Sequence, residues 1–247
     1  AYSKVGSVMA KPSALSSLIE EGQLPIKQRK LLGEETAETL RELILLGKLP
    51  AGASIPERDL ADALGISRTP MREAMRVLET EGLIEYSATR RPSVANPSRE
   101  TLAHNQAVIG ALEALGGRLA CQHATQKELD NIIQMNQRLT EKTDAAAPLE
   151  FFKMDMNFHI AIVTAIANHA LIETHRHYIA RLWRARFISS SLKLGRQNTL
   201  QQHQHIVDML VKRDAAATAS ALEYHLETSF KNVAKALIEQ EKETSSQ

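Results

Sequence analysis

Two short helical patterns joined by a tight turn constrain the fold of this chain more than any other feature. Leu60 and Leu64 lie on the apolar face of the first pattern, and Gly65 ends it. The second starts at Thr69, a candidate N-cap, and at Pro70, whose missing N–H costs nothing at the first helical position. The sequence therefore predicts a helix, a tight turn and a second helix.

The second helix separates an apolar face from a basic one. Its apolar side chains recur at helical spacing, at Met71, Ala74, Met75 and Leu78. Arg72 and Arg76 lie one turn apart on the opposite face. This pattern predicts a helix that packs on a core and presents arginines outward.

A β-hairpin is predicted to follow this helix. Gly82 ends the helix, and residues 83–86 and the residues up to Ala95 have the pattern of two short strands around a turn at 89–92. A two-stranded hairpin is marginal alone and needs helices beneath it. An earlier helical pattern around Leu40 supplies a third helix, so the segment is predicted to be a winged helix-turn-helix.

This arrangement suits double-stranded DNA, because a helix fits the major groove and presents its first side chains to base edges. Neighbouring hydroxyl and guanidinium groups can hold phosphates, and a basic wing suits phosphates or the minor groove. The candidate DNA-binding residues are Arg58, Ser67, Arg68, Thr69, Arg72, Arg76, Arg90 and Arg91. The alternative is a solvated face in which the arginines pair with Glu73, Glu79 and Glu81.

Composition limits the remaining possibilities. A chain of 247 residues is long enough for two domains, and its 43% hydrophobic residues can form a sizeable core. The net charge of +1 means that nucleic-acid binding must come from a local patch. Cys121 is the only cysteine, which excludes an intramolecular disulfide and a cysteine-based zinc site and fits a reducing cytoplasm. The longest uncharged run, 156–172, contains polar side chains that predict no membrane span.

The chain divides into three parts by pattern. Residues 1–32 are predicted to be an N-terminal extension, 33–97 the winged helix-turn-helix domain, and 98–247 an all-α domain for effector binding, metal binding and dimerisation. The helices predicted in the last part are 99–122, 126–142, 147–167, 170–190, 194–213 and 215–240. The chain is therefore expected to be mainly α-helical.

Imidazole and carboxylate groups of the all-α part could hold a metal ion. Asp155 and His159 are four residues apart and share a helix face, while His203 and His225 each align with apolar residues of their own helices. Three inward imidazoles and one carboxylate would suit Zn, Ni or Mn-like divalent ions with positions left for a ligand. The alternative is that each histidine is a hydrogen-bonded structural residue.

The N-terminal motifs resemble the DNA-binding domain of the GntR superfamily of bacterial transcription regulators. The resemblance lies in LPAG (49–52), PERDLA (56–61), LGISRTPMREA (64–74) and LETEGLI (78–84). It implies that Arg58, Arg68 and Arg72 contact DNA with the wing assisting. The chain departs from the family at the wing tip, where Arg91 and Pro92 stand in place of the usual glycine.

The C-terminal motifs resemble the FCD ligand-binding domain of the FadR-type branch of that superfamily. They are DMNFH (155–159), NHAL (168–171), HQHI (203–206) and HL (225–226). The resemblance implies Asp155, His159, His203 and His225 as metal ligands and a small organic acid as effector.

One family feature is missing from this domain. The family often has a pocket-facing arginine where this chain has VIGA (108–111). Arg118, Arg184 and Arg186 are therefore the candidate counter-charges for a carboxylate effector.

These observations favour a homodimeric, ligand-responsive DNA-binding transcription regulator, a repressor that leaves a two-fold operator when an organic acid binds. The connection at 96–99 is the expected hinge between the domains. Two alternatives stay open. One is a metal-dependent hydrolase or oxygenase that uses the His/Asp cluster, although no general base is evident. The other is a metal-free regulator whose histidines line an apolar or acyl pocket.

Overall fold

The computed structural model describes residues 26–191 and 196–244. Its N-terminal part consists of three helices followed by two strands. These are α1 (Ile26–Leu45), α2 (Glu57–Ala63), α3 (Arg68–Thr80), β1 (Ile84–Tyr86) and β2 (Pro92–Val94). This is the predicted winged helix-turn-helix. Helix α1 starts within the range assigned to the N-terminal extension, and the rest of that extension lies outside the described residues.

Helix α3 begins two positions earlier than the N-cap prediction requires. Its N-cap is Ser67, and Arg68 and Thr69 are already helical. Pro70 is therefore the third helical residue, not the first. The difference costs little, because the amide of any residue in the first turn has no intrahelical acceptor and proline lacks only that group.

The apolar face of α3 forms the core of this domain. Met71, Ala74, Met75 and Leu78 are each at most 1% exposed and pack against α1 and the hairpin. Full burial of a side chain of this size contributes about 1.5–3 kcal/mol. The spacing that buries these four residues turns the intervening arginines to the outside.

The hairpin forms the predicted wing. Its strands are antiparallel, with Ile84 opposite Val94, and Ser54 bridges to Ser93 of β2. The turn is closed by a hydrogen bond from the Arg90 amide to the Ser87 carbonyl (2.8 Å). Arg90 has φ of 57°, a left-handed conformation that is uncommon for residues other than glycine. An arginine thus occupies the position where the backbone would favour glycine.

The second part of the described chain is entirely α-helical. Its helices are α4 (Arg99–His123), α5 (Gln126–Glu141), α6 (Pro148–Thr164), α7 (His169–Ala180), α8 (Trp183–Ser191), α9 (Arg196–Val211) and α10 (Ala215–Thr244). Polar caps explain several starts: Ser98, Thr125 and Asn168 accept backbone N–H groups at the first turns of α4, α5 and α7. None of the helices in the described residues is long and apolar enough to cross a membrane.

The predicted helix 170–190 is wrong as a single element, because the structure divides it into α7 and α8. The break at Arg181 and Leu182 contains neither glycine nor proline, so the sequence offers no signal for it. The change of direction buries Leu182 to 1% exposure. Tertiary packing thus outweighs local helix propensity at this point.

Close packing of α4 against α10 sets the position of the helices around the candidate site. A Cβ on Gly117 of α4 would lie 2.4 Å from Leu222 Cδ1 of α10, so a side chain at this position would have to displace the buried Leu222. One turn beyond Leu222 on α10, the Leu226 carbonyl accepts a hydrogen bond from Gln106 Nε2 of α4 (3.0 Å). These contacts hold the adjacent His225 over the interior of the bundle.

Candidate metal centre and DNA-binding surface

The eight candidate DNA-binding residues all lie exposed on α2, α3, the turn between them, and the wing. Arg68, Arg72 and Arg76 follow one another at four-residue spacing along α3, and Arg90 and Arg91 occupy the wing turn. The structure thus places these side chains on accessible parts of one small domain. A helix of this kind can enter the major groove while the wing reaches the adjacent backbone.

The alternative of paired arginines has little support in the geometry. Glu81 accepts hydrogen bonds from Arg41 Nε and Nη2 (2.9 and 2.7 Å) and none from an arginine of α3. Within the described residues, none of the arginines of α3 or of the wing is within ion-pair distance of a carboxylate. Arg58 reaches Asp62 only at 4.0 Å, with both side chains about three-quarters exposed. The surface is therefore available to phosphates.

Three histidines from three helices meet in the interior of the second domain. His225 Nε2 lies 3.2 Å from His203 Nε2 and 3.3 Å from His159 Nε2, and the three ligand atoms lie within 4.8 Å of one another. Each residue is at most 1% exposed. Asp155 Oδ1 lies 3.6 Å from His203 Nε2. The structure thus brings the three imidazoles together, and Asp155 lies beside His203 at the edge of this group.

A carboxylate and an amide behind this cluster orient two of the rings. His159 Nδ1 donates to Glu113 Oε2 (2.6 Å), and His225 Nδ1 donates to Gln202 Oε1 (2.9 Å). His175 Nε2 donates to the other oxygen of Glu113 (3.2 Å). With Nδ1 protonated in both rings, the two Nε2 atoms present lone pairs to each other, and a cation between them would relieve this repulsion.

Sequence reasoning missed these outer partners. Glu113 aligns with Ile109, Gly117 and Ala120 on the buried face of α4, so a carboxylate on an otherwise apolar stripe was the available signal. His175 is only 2% exposed and had no comparable signal. Gln202 precedes His203 and gave none either.

Burial controls the protonation of the cluster. It lowers the pKa of His203 and His225 well below the usual range, and the neighbouring imidazoles and Arg186 lower it further. Burial alone would raise the pKa of Glu113, but the charge of His159 and hydrogen bonds from His159 and His175 hold it well below the usual range. The site therefore combines two neutral imidazoles, those of His203 and His225, with an ionised supporting carboxylate.

The donor set fits a divalent metal ion. Zn–N bonds of about 2.0–2.1 Å in a tetrahedral arrangement separate the nitrogens by about 3.3 Å, close to the spacings of the Nε2 atoms here. Asp155 Oδ1 is buried without a hydrogen-bond partner within the described residues. Imidazole nitrogens and a carboxylate suit Zn, Ni or Mn-like ions.

A small polar cavity of about 40 Å³ opens beside the cluster. Asp155 and His225 line it together with Arg186 and Arg196. Arg186 Nη2 lies 3.6 Å from Asp155 Oδ2, and its side chain is 5% exposed. Of the three candidate effector arginines, Arg186 is therefore the one that the structure brings to the candidate metal ligands.

The other two candidate arginines lie elsewhere. Arg118 is exposed on α4. Arg184 lines a separate cavity of about 220 Å³ at the connection between the two domains. Arg196, which sequence reasoning did not select, lines the cavity beside the metal ligands. Its position at the start of α9, after the predicted break at Gly195, favoured a solvated side chain and gave no signal of burial.

Two family matches cover most of the chain. Residues 32–91 match the bacterial regulatory proteins of the gntR family, and residues 106–228 match the FCD domain. The helix-turn-helix and β1 fall within the first range, β2 follows directly after it, and the histidine cluster falls within the second range.

Full-length relatives and solved structures agree with these matches. The chain is 31% identical to the Nta operon transcriptional regulator of Aminobacter aminovorans over 74% of its own length and 85% of the relative's. It is 30% identical to the Uxu operon transcriptional regulator of Escherichia coli K12, over 83% and 86% respectively. The solved structure of E. coli McbR/YncC has the same fold, with a TM-score of 0.71, 17% identity, and coverage of 83% of this chain and 97% of that one. The chain therefore belongs to the GntR family of bacterial transcriptional regulators, with a C-terminal FCD domain.

Proposed function

We propose that this protein is a FadR-type, cytoplasmic transcriptional repressor that binds a two-fold operator as a homodimer and leaves it when a small organic acid binds at a metal centre in the helical domain. The observation that supports this most is the convergence of three buried Nε2 atoms and Asp155 beside a cavity that also contains Arg186. A ligand site of this kind, on a domain joined to a DNA-binding domain, is suited to changing the affinity for DNA when a ligand binds. A related repressor, NanR of Cronobacter sakazakii, is 27% identical to the chain.

The DNA-binding role rests on the exposed arginines. Arg68 and Arg72 would reach base edges from the first turns of α3, and Arg58 would reach the backbone from α2. Arg90 and Arg91 would contact phosphates or the minor groove from the wing. Ser67, Thr69 and Arg76 would add phosphate contacts. A homodimer presents two such helices to the half-sites of a palindrome.

The effector role rests on the histidine cluster. His159, His203, His225 and Asp155 would hold the ion, which offers its open positions to a carboxylate. Arg186 would pair with the same carboxylate, because its Nη1 is buried without a hydrogen-bond partner in the described chain. Glu113 keeps His159 in the tautomer that points Nε2 at the ion.

Two helices connect this site to the DNA-binding domain. On α6, Lys153 Nζ bonds Glu38 and Glu42 of α1 at 2.6 Å each, two residues before Asp155. On α8, the ring of Trp183 lies 5.2 Å from the Arg41 guanidinium, three residues before Arg186.

Arg41 in turn bonds Glu81, which caps the end of α3. A shift of α6 or α8 on effector binding would therefore move α3. Allosteric release requires that the effector favour one of two arrangements of the domains, and these contacts offer a route by which it could do so.

The test starts from a library of random duplex DNA, from which the metal-loaded full-length protein selects its operator. Fluorescence anisotropy then measures dissociation from that operator as small carboxylic acids are added. We expect an inverted repeat, and release by an acid that disappears in the chelated protein and in His203→Gln. A His205→Gln variant on the exposed face of α9 is the matched control. Acid-induced release that survives both treatments would contradict the metal centre, and selection of no repeat would contradict the operator model.

A further inference from the structure

Buried polar groups without partners concentrate around one cavity. Within the described residues, such atoms include Asp155 Oδ1, Arg186 Nη1, Ser190 Oγ, and both Nε and Nη2 of Arg196. All four residues line the cavity beside the histidine cluster. A buried polar group without a partner costs about 1–3 kcal/mol, so their concentration points to a ligand that satisfies them together.

Arg196 is held in place by groups that leave its outer face free. Its Nη1 donates to the Thr143 carbonyl (2.6 Å), and its guanidinium stacks 4.0 Å above the ring of Phe151. No carboxylate of the described residues lies within ion-pair distance of it. Burial lowers its pKa, which the more distant Asp144 only partly offsets. A guanidinium fixed by packing, with two unused donors, is preorganised for an anion.

The charges of the site call for more than one carboxylate. Of the described residues that line the cavity, Arg186 and Arg196 are positively charged and Asp155 is negative, so a divalent ion would leave several positive charges in excess. A monocarboxylate would cancel one of them and leave the donors of Arg196 unused. A dicarboxylate would cancel two of them and could reach both the ion and Arg196.

The walls and size of the cavity restrict the ligand further. Ser189, Thr199 and Ser229 line it with hydroxyl groups, and Asn232 adds an amide. The cavity is small and its lining is mostly polar, which disfavours long acyl chains. We propose, on the basis of the metal-dependent function above, that the effector is a compact dicarboxylic acid, with or without a hydroxyl group, and that Arg196 binds its carboxylate remote from the metal ligands.

The experiment compares acids that differ only in the second carboxylate. Malate and 3-hydroxybutyrate form one such pair, and malonate and propionate form the other. Isothermal titration calorimetry on the zinc-loaded full-length protein measures each affinity, and elemental analysis afterwards checks that the diacid has not removed the ion. We expect one diacid or both to bind at least about tenfold more tightly than its partner, since a charge-assisted bidentate contact distinguishes them.

Variants assign the difference to one side chain. Arg196→Gln is expected to weaken diacid binding about tenfold and to leave the monoacid unchanged, so that the preference disappears. Arg196→Lys keeps the positive charge but cannot make two parallel hydrogen bonds to a carboxylate, and it is expected to retain part of the preference for the diacid. Arg138→Gln, on an exposed face of α5, is the control and keeps the wild-type values.

The outcomes separate this proposal from the one on which it rests. Equal binding of both members of each pair, or equal weakening of both by Arg196→Gln, would overturn the role of Arg196 while the metal and carboxylate site stands. Absence of binding by every acid, in protein that retains its zinc, would overturn the effector function itself.

Discussion

Replacement of Glu113 by glutamine tests whether the buried network orients the metal ligands. Glu113 is fully buried and accepts hydrogen bonds from His159 and His175. Glutamine has nearly the same shape but lacks the charge, and its amide group can present an N–H to His159 Nδ1. Loss of an outer-shell carboxylate of this kind typically weakens metal binding about 10–100-fold, or about 1.4–2.8 kcal/mol.

The assay is competition for zinc against a chromophoric chelator, followed by absorbance, with circular dichroism to confirm that the variant is folded. Glu173→Gln, at an exposed position of α7, serves as the control and should bind zinc as the wild type does. Wild-type zinc affinity in folded Glu113→Gln protein would refute the reasoning, because it would mean that Glu113 does not set the tautomer of His159.

Further predictions concern DNA, coupling and pH. Arg72→Ala should cost about 1–3 kcal/mol in operator affinity and relax base preference at one position; retained specificity in the anisotropy assay would exclude base contact. Lys153→Ala should reduce effector-induced release without changing metal binding, and because this ion pair is half-exposed its loss should alter stability by at most about 1 kcal/mol. Since the pKa of His203 and His225 is lowered on folding, the unfolded chain binds more protons than the folded chain below about pH 6.5. The free energy of unfolding of the metal-free protein should therefore decrease as the pH is lowered below about 6.5, by up to about 1.4 kcal/mol per pH unit for each histidine. A flat pH profile in urea melts of metal-free protein would contradict this.

Local sequence patterns are sufficient to predict the fold of the DNA-binding domain. The apolar spacing of α3, the turn at Gly65 and the alternation of the hairpin are short-range signals, and the structure confirms the helix-turn-helix and the wing. The exact start of α3 was missed because Ser67 and Thr69 are both acceptable caps and differ by two residues. The break at Leu182 was missed because burial in the core causes it and no residue there interrupts a helix.

Only the candidate metal ligands of the site could be predicted from the sequence. Asp155 and His159 share a helix face, and His203 and His225 lie on apolar stripes, but it was the resemblance to the FCD domain that singled out these four. Which residues support them depends on helix packing over long separations in sequence: Glu113 meets His159 across α4 and α6. Residue spacing within one helix contains no information on such contacts.

The proposed metal centre is tested by the metal content of the purified protein, measured by elemental mass spectrometry beside a His203→Ala variant prepared identically. About one divalent ion per chain is expected in the wild type and is expected to be lost in the variant. Circular dichroism of the variant ensures that the loss does not reflect unfolding. Absence of stoichiometric metal from the wild type, even after incubation with zinc, nickel and manganese salts, would contradict the metal centre on which the proposed regulation depends.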